Sequence, residues 1–271
     1  MSFISQPEVC FIAFYSEIML HGMYTVLFLM TMYLLVFTRK KSRLQIVLSI
    51  VTLAMYGIAT AHSALYLKQV LETFMNAESS GSFDLNEVSS PIEYTKVALE
   101  VINCTIADSV FLWRAWILSG KNTWCCLVPC GLLLGSAVAG FGMVYESSKA
   151  NGSIVFLRQV AGHWTISWVT LTLTTNIVIT GLVTYQAWNL RRQSGPTMAN
   201  SVLFRLIECG ILYSLSFIVL LILFVVGLNA SYVLNHMIPQ ITASSVVLHE
   251  SANADLRAGI GYLSDFLLCP C

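Results

Sequence analysis

Charged residues are scarce in this chain of 271 residues: only 10% are Asp, Glu, Lys or Arg, whereas 56% are hydrophobic. Soluble domains have about a quarter charged residues, and a soluble core could not bury so much apolar surface. The scarcity therefore excludes an ordinary soluble domain and indicates an integral membrane protein, with the lipid bilayer as its partner. The formal net charge is zero, and it gives no sign of a nucleic-acid partner.

Sequence patterns typical of several chemistries are also missing. No lysine follows Lys149, so the last span cannot form the Schiff base of a retinal protein. The histidines show neither H-x-x-x-H nor H-E-x-x-H spacing, which a metal-dependent intramembrane hydrolase would need. There is no phosphate-binding glycine-rich loop, no plausible Ser-His-Asp order and no internal repeat of the transporter kind. We therefore expect no enzyme, no metal and no cofactor. The histidines are His21, His62, His163, His236 and His249.

Seven long stretches carry almost no charge, and each predicts a transmembrane helix. The weakest is the last, which contains Asn235, His236, Pro239 and Gln240. The predicted fold class is all-α: a polytopic membrane protein with a seven-transmembrane-helix bundle. The spans cover about residues 10–37, 44–67, 96–119, 123–144, 162–190, 203–228 and 232–248, within one membrane domain of residues 1–250.

The distribution of basic residues predicts the orientation, because basic loops stay in the cytoplasm. The N-terminus is then outside, and residues 251–271 form a short cytoplasmic tail. Residues 68–95 become an acidic external loop, rich in Ser and Gly and expected to be flexible. The loops after the first, third and fifth spans contain Arg39, Lys40, Lys41, Arg43, Lys121, Arg191 and Arg192, whereas the opposite loops contain only Lys68, Lys96, Lys149 and Arg158.

Two Asn-x-Ser sequons fall in loops that this topology makes external. They begin at Asn151 and Asn229. Glycosylation requires exposure to the lumen, so both asparagines are predicted glycosylation sites.

Ionisable residues are costly inside a span, so each one is a candidate functional residue. On the third span Glu100, Asn103 and Arg114 fall within about 60° of one another, and Asp108 lies about 80° from Glu100 on the other side. One face of this helix is therefore polar. The simpler alternatives are a structural, hydrogen-bonded carboxyl at Asp108 and an Arg114 that extends to the membrane surface.

Three more polar residues are candidates for binding a small ligand together with Asp108 and Asn103. Asn176 of the fifth span lies at the depth of Asp108, and its amide could donate a hydrogen bond to that carboxylate. Glu17 and His21 are one turn apart near the external end of the first span, where they could form a proton-sensitive pair or bind a ligand. The alternative places them in the lipid headgroup region.

A cytoplasmic latch is a further hypothesis. Arg114 of the third span and Glu208 of the sixth both lie roughly 7 to 8 Å inside the inner boundary. An ion pair between them would favour a closed arrangement of the bundle. Arg205 competes as a same-helix partner for Glu208 at three residues' spacing.

Parts of the sequence resemble a large group of uncharacterised seven-span, receptor-like proteins of mushroom-forming fungi. The resemblance rests on DSVFLWRAWILSGKN from Asp108 to Asn122, on Thr175-Asn176 with Thr180-Gly181-Leu182, and on ECGILY from Glu208 to Tyr213. It covers about residues 17–239 and implies a plasma-membrane or secretory-pathway protein without an assigned ligand. After Pro239 the sequence departs from that pattern, which expects an apolar run and a basic residue.

Two functional classes remain. The first is a sensor of the G-protein-coupled-receptor type, with an unknown small ligand and a heterotrimeric G protein as candidate partner. The alternative is a small-molecule or proton-coupled carrier, with Asp108 and Glu100 as the relay. A carrier predicts central ionisable groups on several helices, and only Asp108 is central, which favours the sensor. The third-span Asp-Arg-Tyr triplet is absent, and the loop after the fourth span has no cysteine for the usual disulfide. A scaffold without a ligand is the third option.

Overall fold

The computed structural model describes residues 6–37, 43–80, 91–119, 123–149, 162–194, 198–226 and 233–248. These residues form seven helices and contain no strand. The prediction of an all-α, polytopic membrane bundle is confirmed. The helices are α1 (Gln6–Phe37), α2 (Arg43–Ser80), α3 (Pro91–Leu118), α4 (Trp124–Lys149), α5 (Gly162–Ser194), α6 (Met198–Val226) and α7 (233–248).

Five of these helices, α1, α2, α4, α5 and α6, contain a stretch that is long and apolar enough to cross a membrane. Their large hydrophobic side chains point away from the bundle: Met30 is 63% exposed and Val138 is 67% exposed. Such an outward apolar surface is stable against lipid rather than water. The chain is therefore a multi-pass membrane protein.

The other two helices, α3 and α7, are the inner ones. Helix α3 carries four buried ionisable residues, Lys96, Glu100, Asp108 and Arg114, and α7 is the shortest helix in the described ranges. Most of the ionisable residues on these two helices, and several of the other polar ones, are buried against neighbouring helices, including Glu100, Asp108, His236 and Gln240. A polar residue is tolerated at membrane depth when it faces protein partners instead of lipid. The weakest predicted span is thus polar because it lies inside the bundle.

Neighbouring helices pack in chain order. Each of α1 to α5 contacts the next helix, and α3 also contacts α5. Helix α7 lies between the ends of this series. Its Gln240 is bonded to α1 and α2, its Pro239 carbonyl to α3, and its Ile238 packs in one apolar cluster with Phe217 of α6.

Glycine permits a close approach between α3 and α4. A Cβ atom built on Gly140 would lie 2.6 Å from Val101 Cγ1 and 3.1 Å from Trp168 Cδ1. Real Cβ atoms do not approach other atoms so closely, so only glycine fits here without a shift. Gly131 of the same helix has nothing within 4 Å of its Cβ position.

The helices on either side of the predicted external loop extend into it. Helix α2 continues to Ser80 and α3 begins at Pro91, so residues 68–80 and 91–95 are helical rather than parts of a flexible loop. The α2 extension is held by the buried Val70 and by Gln69, which bonds to α3. Proline is well suited to the first turn of α3 because it lacks the amide that would go unsatisfied there. Residues 81–90 and the tail at 251–271 lie outside the described residues.

Candidate functional site

Ionisable side chains from four helices meet at one end of the bundle. We call this group the polar cluster, and its ionisable members are each at most 4% exposed. Successive helices run antiparallel, so the first half of α1, the second half of α2, and the starts of α3 and α7 lie at the same end of the bundle. The cluster consists of Glu17 (α1), His62 and Ser63 (α2), Lys96 and Glu100 (α3), and Asn235 and His236 (α7).

Regular helical spacing explains why these residues face inward. The inner face of α2 is occupied by side chains three or four residues apart, and His62 falls between Ala59 and Tyr66 in that series. The inner face of α1 follows the same rule, with Glu17 four residues after the buried Ala13. Residues at this spacing share one side of a helix. The ionisable groups therefore occupy positions where an apolar residue would be expected.

The Glu17 carboxylate lies at the centre of the cluster. Its Oε1 atom accepts hydrogen bonds from His62 Nδ1 at 2.9 Å and from Ser63 Oγ at 2.8 Å. Its Oε2 atom lies 3.7 Å from His236 Nδ1. Glu17 thus touches α2 and α7 from α1. The carboxylate is bonded to one imidazole and only approached by the other.

Tyr66 holds His236 in place. The two rings stack with centroids 4.1 Å apart and planes 3° apart, and the ring centroids of His62 and His236 are 5.8 Å apart. Lys96 Nζ lies 4.6 Å from the centroid of the Tyr66 ring, which is within the range of a cation–π contact. The aromatic ring therefore links α2, α3 and α7.

Lys96 connects the cluster to the rim of the bundle. Its Nζ atom donates to Gln69 Oε1 at 2.5 Å and to Glu93 Oε1 at 3.1 Å, and Gln69 Nε2 donates to the same Glu93 oxygen at 2.6 Å. The Lys96 side chain is 2% exposed and that of Glu93 is 18% exposed. This series of hydrogen-bonded polar groups extends from the buried cluster to the less buried Glu93.

Glu100 is held less firmly. Asn235 Nδ2 donates to its Oε2 atom at 3.3 Å, while its Oε1 atom has no hydrogen-bond partner within the described part of the chain. The charges of Glu17, Glu93 and Lys96 are close enough to interact with it. A buried carboxylate oxygen without a donor is costly, so Glu100 is the least satisfied acid of the group.

A second polar layer lies beside the cluster. Gln240 of α7 donates to Ser63 Oγ at 3.0 Å, and its Oε1 atom lies 3.2 Å from His21 Nδ1. Asn103 Nδ2 donates to the carbonyl of Pro239 at 2.9 Å. Three predicted ligand-binding residues, Glu17, His21 and Asn103, therefore belong to one connected region. Glu17 and His21 are linked through Gln240 and Ser63 instead of bonding to each other.

Asp108 and Asn176 are both buried, but they are not hydrogen-bonded to each other. Asn176 Nδ2 donates to the carbonyl of Gly210 at 3.0 Å and to Ser214 Oγ at 2.7 Å. Gly210 has no side chain, so α6 can lie close to α5 at this point. The Asn176 amide therefore bonds α5 to α6. Tyr213 lies near Asp108. The predicted hydrogen bond from Asn176 to Asp108 is not formed between these two described residues, although both lie beside the same stretch of α6, Gly210 to Ser214.

The predicted latch is not formed. Arg114 is buried, Glu208 is exposed, and the ion pairs between described residues do not join them. Glu208 faces outward, so equal depth did not make the two side chains meet. The side chain of Arg205 and the predicted glycosylation sites Asn151 and Asn229 lie outside the described residues.

Several members of the cluster were not identified from the sequence. His62 was considered only for metal-ligand spacing, His236 also as a polar residue of the weakest span, and Lys96 only as the start of the third span and a charge on the external side. The inward spacing of Met55, Ala59 and His62 was the available signal. In the described ranges no group of three His, Cys, Asp or Glu side chains is arranged to hold a metal ion.

Comparisons with protein-family models, with curated proteins and with solved structures find no match for this chain. The resemblance to the fungal seven-span group stays a prediction.

Proposed function

We propose that this chain is a receptor-like sensor in a plasma or secretory-pathway membrane, and that the polar cluster is its sensing element. The observation that carries the proposal is the burial of Glu17, His62, Glu100 and His236, from four different helices, at one end of a membrane bundle. Ionisable groups cost several kcal/mol at membrane depth, and apolar residues would pack there more cheaply. A scaffold without a ligand would gain nothing from them.

The connections of the cluster suit a sensor. Glu17 joins α1 to α2, Lys96 joins α3 to α2, and Asn235 joins α7 to Glu100 on α3. A change in charge at one group alters the bonds of several helices together. Small shifts at a binding site become helix movements when a packed bundle has two arrangements. The external N-terminus predicted from the basic loops places this cluster on the outer side and the response on the cytoplasmic side.

The carrier is the second candidate, and one observation favours it. Polar groups continue along α3 past the cluster, from Asn103 to Cys104, whose Sγ atom lies 3.7 Å from Thr242 Oγ1, and on to Asp108. Beyond Asp108 the buried side chains of α3 are mostly apolar, with Val110 and Phe111 packed against Val246 in one hydrophobic cluster, and Arg114 is the next buried ionisable residue of that helix. A pathway for ions would need a continuous series of polar groups, so the sensor is preferred.

Proximity labelling tests the sensor. A labelling enzyme fused after Cys271 would be expressed in cells of the native host, beside the same fusion to an unrelated multi-pass protein. A G-protein α subunit labelled at least several-fold above the control is the expected result. Equal labelling in both fusions would contradict G-protein coupling.

Reconstitution separates the sensor from the carrier. The purified chain in vesicles containing a pH-sensitive dye should leave an imposed proton gradient as stable as empty vesicles do. Decay of the gradient that depends on the protein and disappears in Asp108→Asn would favour the carrier.

A further inference from the structure

We propose that the stimulus is the proton, and that Glu17, His62 and His236 form a proton-binding site whose loading changes how the start of α7 docks on α1 and α3. This proposal rests on the proposed function for its role in signalling. The binding of protons itself is measurable without any signalling partner.

The geometry places one carboxylate between two imidazoles in unequal contacts. His62 Nδ1 lies at hydrogen-bonding distance, 2.9 Å from Glu17 Oε1, whereas His236 Nδ1 is 3.7 Å from Glu17 Oε2. A protonated imidazole forms a shorter, charge-assisted bond to a carboxylate, with a nitrogen–oxygen distance of about 2.8 Å. Protonation of His236 would therefore draw the first turn of α7 toward α1 by a fraction of an ångström to about one ångström.

Charged groups face the two histidines from more than one helix. Glu17 faces both of them from α1, and Lys96 of α3 is close enough to act on His236. Lys96 and Glu93 act in turn on Glu100. A proton on either imidazole is balanced by the Glu17 carboxylate, which matters in a site with this little exposure. The further titratable groups close by are Tyr66 on α2, which stacks on His236, and His21 on α1, which bonds to Gln240.

A proton fits this site better than an organic ligand does. Glu17 Oε1 and the Lys96 ammonium already bond to residues of the chain, and the Tyr66 ring covers one face of His236. Glu93 and Gln69, at the less buried edge, supply polar groups through which a proton can reach the cluster.

Helix α7 contains a proline shortly after its first turn. Asn235 contacts Glu100 and His236 contacts Glu17, and Pro239 follows three residues later. Proline removes one backbone hydrogen bond of the helix and permits a kink. Past the proline, Gln240 is fixed to α2, so a shift of the first turn bends α7 at Pro239.

Titration of the histidine rings tests the proposal. The full-length protein, purified and labelled at histidine, would be studied by NMR from about pH 4 to 9, the range in which imidazoles titrate. His62→Gln and His236→Gln each assign one signal, and His163→Gln, on an exposed position of α5, is the matched control. We expect both cluster histidines to titrate. In Glu17→Gln the midpoint of His236 should move to lower pH by about one unit, a tenfold loss of proton affinity, while that of His163 stays unchanged.

If His236→Gln or Glu17→Gln fails to fold, His236→Asn provides the assignment and Glu17→Asp, which keeps a carboxylate, provides the comparison. Signals of His62 and His236 that stay constant across this range would overturn the proposal, and so would a His236 midpoint that is the same with and without the Glu17 carboxylate. If the histidines titrate but no cytoplasmic partner is labelled, the proposed function is wrong and the proton site stands. If the partner is labelled but the histidines do not titrate, the proton site is wrong and the proposed function stands.

Discussion

His236 of α7 and Tyr66 of α2 stack face to face, with ring centroids 4.1 Å apart and planes 3° apart. The same tyrosine ring lies 4.6 Å from Lys96 Nζ on α3. One aromatic side chain therefore fixes the relative position of three helices around the buried acids. We expect Tyr66→Leu to lower the free energy of unfolding by about 1 to 3 kcal/mol, because it removes both ring contacts. Tyr66→Phe keeps them and should lie closer to wild type in a thermal unfolding assay in detergent.

The Glu17 carboxylate should matter for stability because two buried donors depend on it. Glu17→Ala leaves His62 and Ser63 without their acceptor, which should cost about 1 to 3 kcal/mol. Glu72→Ala is the matched control: Glu72 is half exposed and, among the described residues, pairs with Lys68. A surface pair of this kind is worth less than about 1 kcal/mol. Equal unfolding midpoints for the two variants would show that the cluster contributes nothing to the fold.

The close packing of α3 against α4 gives a second stability test. Gly140→Ala puts a Cβ atom into Val101 and Trp168, and overpacking of this kind costs about 1 to 3 kcal/mol. Gly131→Ala adds the same methyl group to the same helix with nothing within 4 Å, so its unfolding midpoint should match or exceed that of wild type. A Gly140→Ala protein as stable as Gly131→Ala would contradict the packing described.

The partner of Asn176 can be identified by double-mutant cycles. Asn176→Ala and Ser214→Ala remove two ends of one hydrogen bond, so their effects on unfolding should be non-additive by about 0.5 kcal/mol or more. Asn176→Ala and Asp108→Asn should be additive within about 0.3 kcal/mol. Strong coupling between Asn176 and Asp108, with none between Asn176 and Ser214, would support the pairing of Asn176 with Asp108 that the sequence suggested.

The orientation of the chain is open to a direct test. Basic loops on one side predict that an epitope inserted between Glu78 and Glu87 is reached by antibody on intact cells. An epitope after Cys271 should be reached only after permeabilisation. Access to both epitopes on intact cells would mean an even number of crossings.

Composition and charge were enough to predict the helical membrane bundle, because long uncharged stretches have few other stable forms. The seventh helix was the hardest to predict for the same reason. Its Asn235, His236 and Gln240 suit an interior position among other helices and look unfavourable only if lipid surrounds them. A one-dimensional pattern does not show which helix becomes the inner one.

The ligand-binding role of the candidate residues stays a prediction. Of the residues named from the sequence, Glu17, His21 and Asn103 lie in the polar region at one end of the bundle, and Glu100 is buried on the predicted polar face of α3. Their partners His62 and His236 are 45 and 219 residues away from Glu17 along the chain, so no spacing rule connects them. The failed pairs, Asp108 with Asn176 and Arg114 with Glu208, were argued from depth alone. Depth does not fix the direction in which a side chain points around its helix.

Control of a cytoplasmic response by the polar cluster is tested most directly by pH-dependent labelling. The enzyme fused after Cys271 would label the α subunit in cells held at an external pH of about 5.5 or 7.5, on either side of the histidine range. Wild type and His163→Gln should show labelling that differs several-fold between the two values, and His236→Gln should show the same labelling at both. Identical pH responses in all three proteins, or none in any of them, would contradict a sensing role for the cluster.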